Sequence, residues 1–517
     1  MYQVIILTGI PTDNRLDMAF IPALGAYKCA HALRNNGFSC LVINHSPQYS
    51  ITEINELLDH AVSDDTLMIG ISSTFLTFDG FETAQLGSQH LVETPEYQLN
   101  NTIMDKFRTI DGVSFDADVL HRLRNKFPKL KFTLGGYKVT PNHQTIGLDF
   151  ICVGYSEVSI VNIAQHLLTG DIIPDSRKNV FGTVIVDDPT AKLYNFSDEV
   201  MEWLPEDIVT HTKLPLEVSR GCIFNCKFCS FPLRGKKKLD YLKSTDSLRK
   251  ELINNYEKYG ITFYAISDDT FNDSKEKLIA IRDMIQTLPF QPYFWCYARL
   301  DLISIWPETI DVLYDIGCRV LHLGVETLDR KAGLAIGKGY PKEKLINVVK
   351  ILKEKYPDMF LHGSFIIGLP GESIASIRET NRLLQSKEFP LDSWEFIPLK
   401  IWQGGSAYSP AAAWTTVWMS EFDQNWQQYY QEVDDPPNNV RVFWKNEEMN
   451  IFEATALSFE FLKNNRPLAA DVLRREAWGE PESASTFIPK YKQKLLEIVK
   501  TKKRGISSVV ERNVANV

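Results

Sequence analysis

Between Pro215 and Ile401 one pattern recurs six times, a short and almost uninterrupted apolar run followed by a stretch of helical period. The runs are PLEVSRG, TFYAISDD, YFWCYAR, RVLHLGVE, MFLHGSFIIG and SWEFIPLKI, with stretches such as SLRKELINNYEKYG, KEKLIAIRDMIQTL and KEKLINVVKILKEKY between them. Runs this apolar read as strands buried on both faces, and a helix between successive strands returns each one parallel to the last. The pattern predicts a partial (β/α)6 barrel over residues 201–401. Functional residues are then expected at the C-terminal strand ends and in the loops that follow them.

The first part of the chain alternates in the same way: VIILTG, IPALGAYKCAHALRNNG, SCLVINH, ITEINELLDHAV and TLMIGISS, and later KFTLGG, DFICVGYSE and SIVNIAQHLL. This predicts an α/β domain of the doubly wound, Rossmann-like class over residues 1–200, including a connecting stretch from about residue 171. Beyond Ile401 the pattern dissolves into an aromatic segment with Trp402, Trp414, Trp418, Trp426, Tyr429 and Tyr430, followed by helices near 447–464 and 486–502. Residues 402–517 read as a mainly helical C-terminal cap and tail. The aromatic residues read first as core and second as the cover of a pocket.

Composition excludes several classes. The 517 residues are 44% hydrophobic and 23% charged, with no run near the ~18 apolar residues of a membrane span, so no membrane association is expected. A net charge of -9 argues against broad affinity for nucleic acid, and the local patch of Arg234, Lys236, Lys237 and Lys238 reads as a solvated loop. The N-terminus has no basic leader before its apolar run, and the cysteines suit thiol chemistry, so a cytoplasmic, reducing setting is expected.

Three of the eight cysteines, Cys222, Cys226 and Cys229, stand in the spacing C-x3-C-x2-C directly after the first barrel strand. Thiolates gathered in this way favour zinc or iron-sulfur clusters. A structural zinc takes four protein ligands, and no second cysteine pair or nearby histidine pair completes one, which leaves a closed zinc site with a distant fourth ligand as the competing reading. Three thiolates on a four-iron, four-sulfur (4Fe-4S) cluster leave one iron open to bind and reduce a small molecule.

The stretch C222-IFN-C226-K-F228-C229 resembles the signature of the radical S-adenosylmethionine (SAM) superfamily. The resemblance implies a 4Fe-4S cluster on the three cysteines, with SAM chelated by the open iron and cleaved to a deoxyadenosyl radical. It implies SAM contacts from Phe228, from Asp268 or Asp269 toward the methionyl ammonium, from Arg299 toward a carboxylate, and from Glu326 near the ribose and methionyl part. It also implies that Gly368, Pro370 and Gly371 of FIIGLPGES lie against the adenine. His322 and His362 share strand faces with Glu326 and Gly368 and read as core histidines, with an acid/base role as the alternative. Cys296 and Cys318 read as packing residues.

A doubly wound domain ahead of such a barrel resembles the cobalamin-binding subgroup of that superfamily, in which a serine loop and a Gly-Gly turn hold the cobalamin tail. Ser72, Ser73, Gly135 and Gly136 are the matching positions, although the loop GIPTDNRLDMAFIPALG lacks the histidine that ligates cobalt in other members. The resemblance therefore implies cobalamin-dependent methylation of an unactivated carbon on a small-molecule or peptide substrate, with an electron donor such as flavodoxin or ferredoxin. A cobalamin-independent rearrangement, cyclisation, oxidation or sulfur insertion is the alternative, and a non-catalytic metal-binding protein is the third. Methylthiotransferases carry three further cysteines in the first domain; here Cys29, Cys40 and Cys152 are widely spaced.

Overall fold

A computed structural model describes residues 2–9, 21–72, 76–78, 113–115, 117–136, 148–174, 176–179, 182–188, 196–209, 211–229, 235, 241–401, 420–433, 443–464 and 484–514. The chain divides into two compact units. The first comprises residues 1–195, 201–212 and 482–517, and the second comprises 196–200 and 213–481.

In the first unit the strands are β1 (Val4–Leu7), β2 (Cys40–Ile43), β3 (Met68–Ser72), the small separate parallel pair β4 (Leu76–Phe78) and β5 (Val113–Phe115), then β6 (Lys131–Gly135), β7 (Phe150–Gly154), β8 (Ser176–Lys178) and β9 (Val184–Asp188). The main sheet runs β2-β1-β3-β6-β7-β9-β8, and only β8 is antiparallel to its neighbour. VIIL and CLVI are buried at every position, as a strand covered by helices on both faces requires. The chain order reverses between β1 and β3, so the crevice beyond their C-terminal ends is where an open sheet of this kind binds ligands.

The C-terminal helix Ala484–Val514 belongs to this first unit. The chain pattern alone places it with residues 402–517 as part of the cap on the second sheet; its contacts place it in the first unit instead. Its stripe of Phe487, Tyr491, Leu495 and Val499 recurs every four residues and is buried, Tyr491 Oη accepts from Asn44 N at 3.1 Å, and Lys492 and Lys500 pair with Glu53 and Glu56 of helix Ile51–Ala61.

The second unit contains β10 (Lys213–Leu216), β11 (Phe263–Ile266), β12 (Tyr293–Arg299), β13 (Cys318–Glu326), β14 (Phe360–Ile367) and β15 (Ser393–Pro398) in one parallel sheet of sequential order. A helix or helix pair joins each strand to the next, from Thr245–Tyr259 to Ile374–Gln385, which is the expected β/α repeat. The strands are sided, however. Leu321, Leu323, Leu361 and Phe365 are buried on one face, while His322, Gly324, His362 and Ser364 alternate with them on the other face and are half-buried. After the sheet, a small antiparallel pair, β16 (Gln431–Glu432) and β17 (Trp444–Lys445), and helix Ile451–Asn464 pack in the same unit. Phe422, Tyr430 and Trp444 are buried there, whereas Trp402, Trp414 and Trp418 lie outside the described residues. No described helix is long and apolar enough to cross a membrane.

Candidate active site

The cysteine loop leaves the C-terminal end of β10 and is pinned from three directions. Ser219 bridges Leu242, with Arg220 N donating to Tyr241 O and Lys243 N donating to Val218 O. Lys243 is itself buried between Glu251, at 2.5 Å, and Glu199, so this backing strand is tied into the unit's interior. From the end of β11, the Asp268 carboxylate accepts from Val218 N, Ser219 N and Ser219 Oγ at 2.7 to 2.9 Å. From the far side, Lys227 N donates to Ile336 O, and Lys227 Nζ donates to Tyr429 Oη at 2.8 Å.

Within the loop each of the two buried sulfurs has defined partners. Cys222 Sγ lies 3.3 Å from Thr270 Oγ1 and accepts from Phe224 N at 3.5 Å. Cys226 Sγ accepts from Arg299 Nη1 at 3.1 Å, and the Phe224 ring stacks 4.0 Å from that guanidinium. Cys229 is half-buried. Burial raises the Cys222 thiol pKa, with the Thr270 and Phe224 hydrogen bonds opposing it. Cys222 and Cys226 are thus shielded from water, with the Phe224 N–H and the Arg299 guanidinium directed at their sulfurs, which suits thiolates shared with iron. Three donors on one short loop, each of the other five cysteines lying in a separate element, fit a cluster with one iron left open rather than a closed four-ligand zinc site.

The structure reassigns several residues expected to touch SAM. Asp268 is fully enclosed and its carboxylate is occupied by the cysteine loop, so it positions that loop. The fork of Arg299 grips Asp301 through Nε at 3.1 Å and Nη2 at 2.6 Å, which leaves Nη1 for Cys226 rather than for a ligand carboxylate. Gly368, with φ of 98°, admits a flat ring as expected, but that ring is the chain's own Trp444: an added Cβ would stand 2.1 Å from Trp444 Cη2. The Gly368 carbonyl also accepts from Tyr430 Oη and Asn446 Nδ2. Gly371, with φ of 75°, forms with half-buried Pro370 the turn into helix Ile374–Gln385, and Lys331 lies against it.

Asp269 and Phe228 are half-buried beside the cysteine loop, with Lys338 Nζ 6.0 Å from the Phe228 ring. Glu326 ends β13 in the left-handed region, φ 66°, where the register with β14 slips by one residue. Its carboxylate pairs with Lys338 at 2.9 Å, and Lys338 also donates to Gly324 O. Any side chain at 324 would collide with this pair, since a Cβ there would lie 2.8 Å from Glu326 Oε1. Strain of this sort at a strand end is kept where a side chain has to be aimed.

Sequence reasoning missed the positioning roles of Thr270, Asn272, Lys277 and Glu372. Thr270 and Asn272 follow the two aspartates in SDDTFNDS; Thr270 reaches Cys222, and the Asn272 amide exchanges two hydrogen bonds with the backbone of Arg299. Buried Lys277 joins Asp273 at 2.5 Å, Ser219 Oγ and Thr270 O. Thr327 donates a short hydrogen bond to buried Glu372, whose pKa burial pushes up to about 8. The signal available was proximity in sequence to the motifs; the pairing partners lie tens of residues away.

In the first unit Ser72 and Gly135 are register partners at the adjacent C-terminal ends of β3 and β6, and Gly136 follows with φ of 107°. Gly135 packs closely on Ser156 Oγ and Cys152 Cβ, where added Cβ distances would be 3.4 and 3.5 Å. Among the described residues, small Ser72, Gly135 and Gly136 thus stand at the strand ends beside the switch point, where an open sheet receives ligands. Ser73 lies outside the described residues. Cys40 on β2 and Cys152 on β7 are four strand spacings apart, on the order of 19 Å. They cannot share a second cluster, and burial raises both thiols to about 12.

Residues 216–384 match the family model described as the radical SAM superfamily. Among curated proteins, the chain is 26% identical over 282 residues to the uncharacterized methyltransferase PH0819 of Pyrococcus horikoshii, covering 53% of this chain and 58% of that one. It is 23% identical over 206 residues to a tRNA-2-methylthio-N(6)-dimethylallyladenosine synthase of Clostridium botulinum, covering 38% and 44%. The chain thus spans about half the length of these relatives. Among solved structures it resembles the radical S-adenosylmethionine methyltransferase TsrM of Kitasatospora setae with cobalamin and a 4Fe-4S cluster bound, at a TM-score of 0.60, 14% identity, and coverage of 98% and 100%. It also resembles the cobalamin-dependent S-adenosylmethionine radical enzyme OxsB, at 0.52 and 15%, covering 100% of this chain and 80% of that one. The structural likenesses show the fold, a doubly wound parallel sheet followed by a second parallel β/α sheet in sequential order.

Proposed function

We propose that this protein is a radical SAM enzyme that methylates an unactivated carbon of a small-molecule or peptide substrate with the help of cobalamin. The observation that carries the reading is the cysteine loop itself, three thiols at the end of β10 with Arg299 and Thr270 directed at two of their sulfurs. When bound, a 4Fe-4S cluster with SAM on its open iron supplies one-electron cleavage to a deoxyadenosyl radical, and methylcobalamin supplies a methyl group. Cys222, Cys226 and Cys229 would hold the cluster. Arg299, charged and clamped by Asp301, would stabilise negative charge on the Cys226 sulfur. Glu326, strained and paired with Lys338 at the end of β13, and half-buried Asp269 after β11 would meet a ligand ammonium or hydroxyl.

The likeness in fold to TsrM and OxsB supports cobalamin in the first unit, with Ser72, Gly135 and Gly136 at the strand ends that would receive it. The separation of Cys40 from Cys152 counts against a methylthiotransferase with a second cluster in that unit. A one-electron donor of the flavodoxin or ferredoxin type is required by this chemistry. The test is anaerobic reconstitution with iron, sulfide, cobalamin, SAM and reductant, with deoxyadenosine and S-adenosylhomocysteine quantified separately. Four irons and one cobalt per chain, with both products formed and both lost in Cys226→Ala, are expected. Deoxyadenosine without homocysteine product or bound cobalt would replace this reading with a cobalamin-independent radical SAM reaction.

A further inference from the structure

On the polar face of the second sheet, one register row below Arg299, neighbouring strands bring His322, His362 and Glu395 together. His322 pairs with His362 across β13 and β14, and their rings lie 4.6 Å apart between centroids. Glu395 on β15 sits one row further along, with Oε1 3.6 Å from His362 Nε2 and 3.8 Å from His322 Nε2. One ligand atom from each residue falls within a 4.8 Å set. We propose that these three side chains form a mononuclear site for a divalent first-row transition metal, distinct from the cysteine loop.

The donor set is two imidazoles and one carboxylate, which suits zinc, iron or cobalt and leaves coordination positions open. Ligand atoms about 2.1 Å from one ion stand roughly 3 to 3.5 Å from each other, so Glu395 Oε1, at 3.6 and 3.8 Å from the two Nε2 atoms, needs to move by a few tenths of an ångström, while the two imidazole donors, within 4.8 Å of each other, turn further toward the ion. The supporting shell is already in place. His362 Nδ1 is held by Ser393 Oγ at 2.6 Å, and with the proton on Nδ1 its Nε2 lone pair faces Glu395. Ser364 Oγ donates to Glu395 Oε1 at 3.3 Å. Tyr297, its ring 4.7 Å from that of His322, closes one side. All three ligands are half-buried, so an ion here would present its open positions to water or to an oxygen or nitrogen donor of a substrate.

Cobalt(II) is the probe. The full chain, reconstituted with its iron-sulfur cluster, is titrated with cobalt(II) chloride, and cobalt and iron are counted after gel filtration. One cobalt per chain, with weak visible d–d bands and no added thiolate charge-transfer absorption in the difference spectrum against the cobalt-free protein, is expected. His362→Ala and Glu395→Ala should each weaken binding by at least about 100-fold at unchanged iron content, and Ser393→Ala, which removes only the supporting hydroxyl, by about 10-fold. Absence of cobalt uptake by the unsubstituted chain would overturn the proposal, as would uptake that carries thiolate charge transfer or survives both His362→Ala and Glu395→Ala.

Discussion

At Gly368 a single added carbon would stand 2.1 Å from the Trp444 ring, in a backbone conformation with φ of 98°. Overpacking and left-handed strain each cost about 1 to 3 kcal/mol, so Gly368→Ala should lose roughly 3 kcal/mol or more of stability in urea unfolding. Adding Trp444→Ala should recover the part of that loss due to the collision and leave the strain. Arg299 acts on charge rather than volume. Arg299→Gln removes the cation beside Cys226 Sγ, and the reconstituted cluster should become harder to reduce, a negative shift of midpoint potential read by electrochemistry. Glu372 gives a signed pH effect. Its folded pKa of about 8 lies above the unfolded value of about 4.3, so the folded state holds a proton that the unfolded state has released between those two values. Stability from this group is fully present below pH ~4 and falls as pH rises toward 8. In Glu372→Gln that decline should be flattened; an unchanged slope between pH 5 and 8 would mean the carboxyl is not the proton carrier.

Elements are held by buried pairs whose members come from distant segments. Arg34 at the end of helix Leu24–Asn35 forks onto Asp207 at 2.6 and 3.0 Å and also donates to Cys40 O at 2.8 Å. Removing one partner strands the other charge in the interior, so Arg34→Met should cost about 3 to 5 kcal/mol, and Asp207→Leu added to it should recover a large part. The C-terminal helix carries a second pH dependence. His45 and His211 lie 3.2 Å apart between Nε2 atoms under Phe487 and Tyr491, and burial lowers both pKa values, that of His211 to about 4. The unfolded state takes up protons near pH 6.5 that the folded pair refuses, so stability should fall as pH drops from about 6.5 toward 4, and His211→Gln should flatten that fall. All six strands of the second sheet and β1, β2, β3, β6 and β7 of the first were legible because period and apolar density are local properties, whereas β8 and β9 fall in the stretch read as a connection. The home of helix 484–514 was not, because its apolar stripe fits any exposed sheet edge or helix, and only Tyr491 meeting Asn44 and the Lys492 and Lys500 pairs select the first unit. The cysteine loop was legible from spacing alone, whereas the task of Asp268 was not. Which of two adjacent carboxylates turns inward depends on the turn after β11, and that turn is built by Asn272 and Lys277 acting on β12 and Ser219.

Considered whole, the chain's charge separates two kinds of substrate that its relatives leave open. One relative's name places its chemistry on tRNA, and another is named only as a methyltransferase. Binding to a polyanion draws on cations that displace condensed counterions, and the term grows with the number of phosphates neutralised. Here 65 acidic residues face 56 basic ones, and among the described residues the cations nearest the cysteine loop are already committed: Arg299 to Asp301, Lys338 to Glu326, Lys277 to Asp273 and Lys243 to Glu251. At physiological salt the net charge is screened beyond a Debye length of about 8 Å, and within it the described cations beside the cysteine loop are held in ion pairs. Fluorescence anisotropy with labelled bulk tRNA at that salt should therefore give no saturable binding below about 100 μM, at the weak end of non-specific affinities. A dissociation constant in the low micromolar range or tighter, with a steep dependence on salt, would move the substrate of the proposed methylation from a small molecule or peptide to RNA.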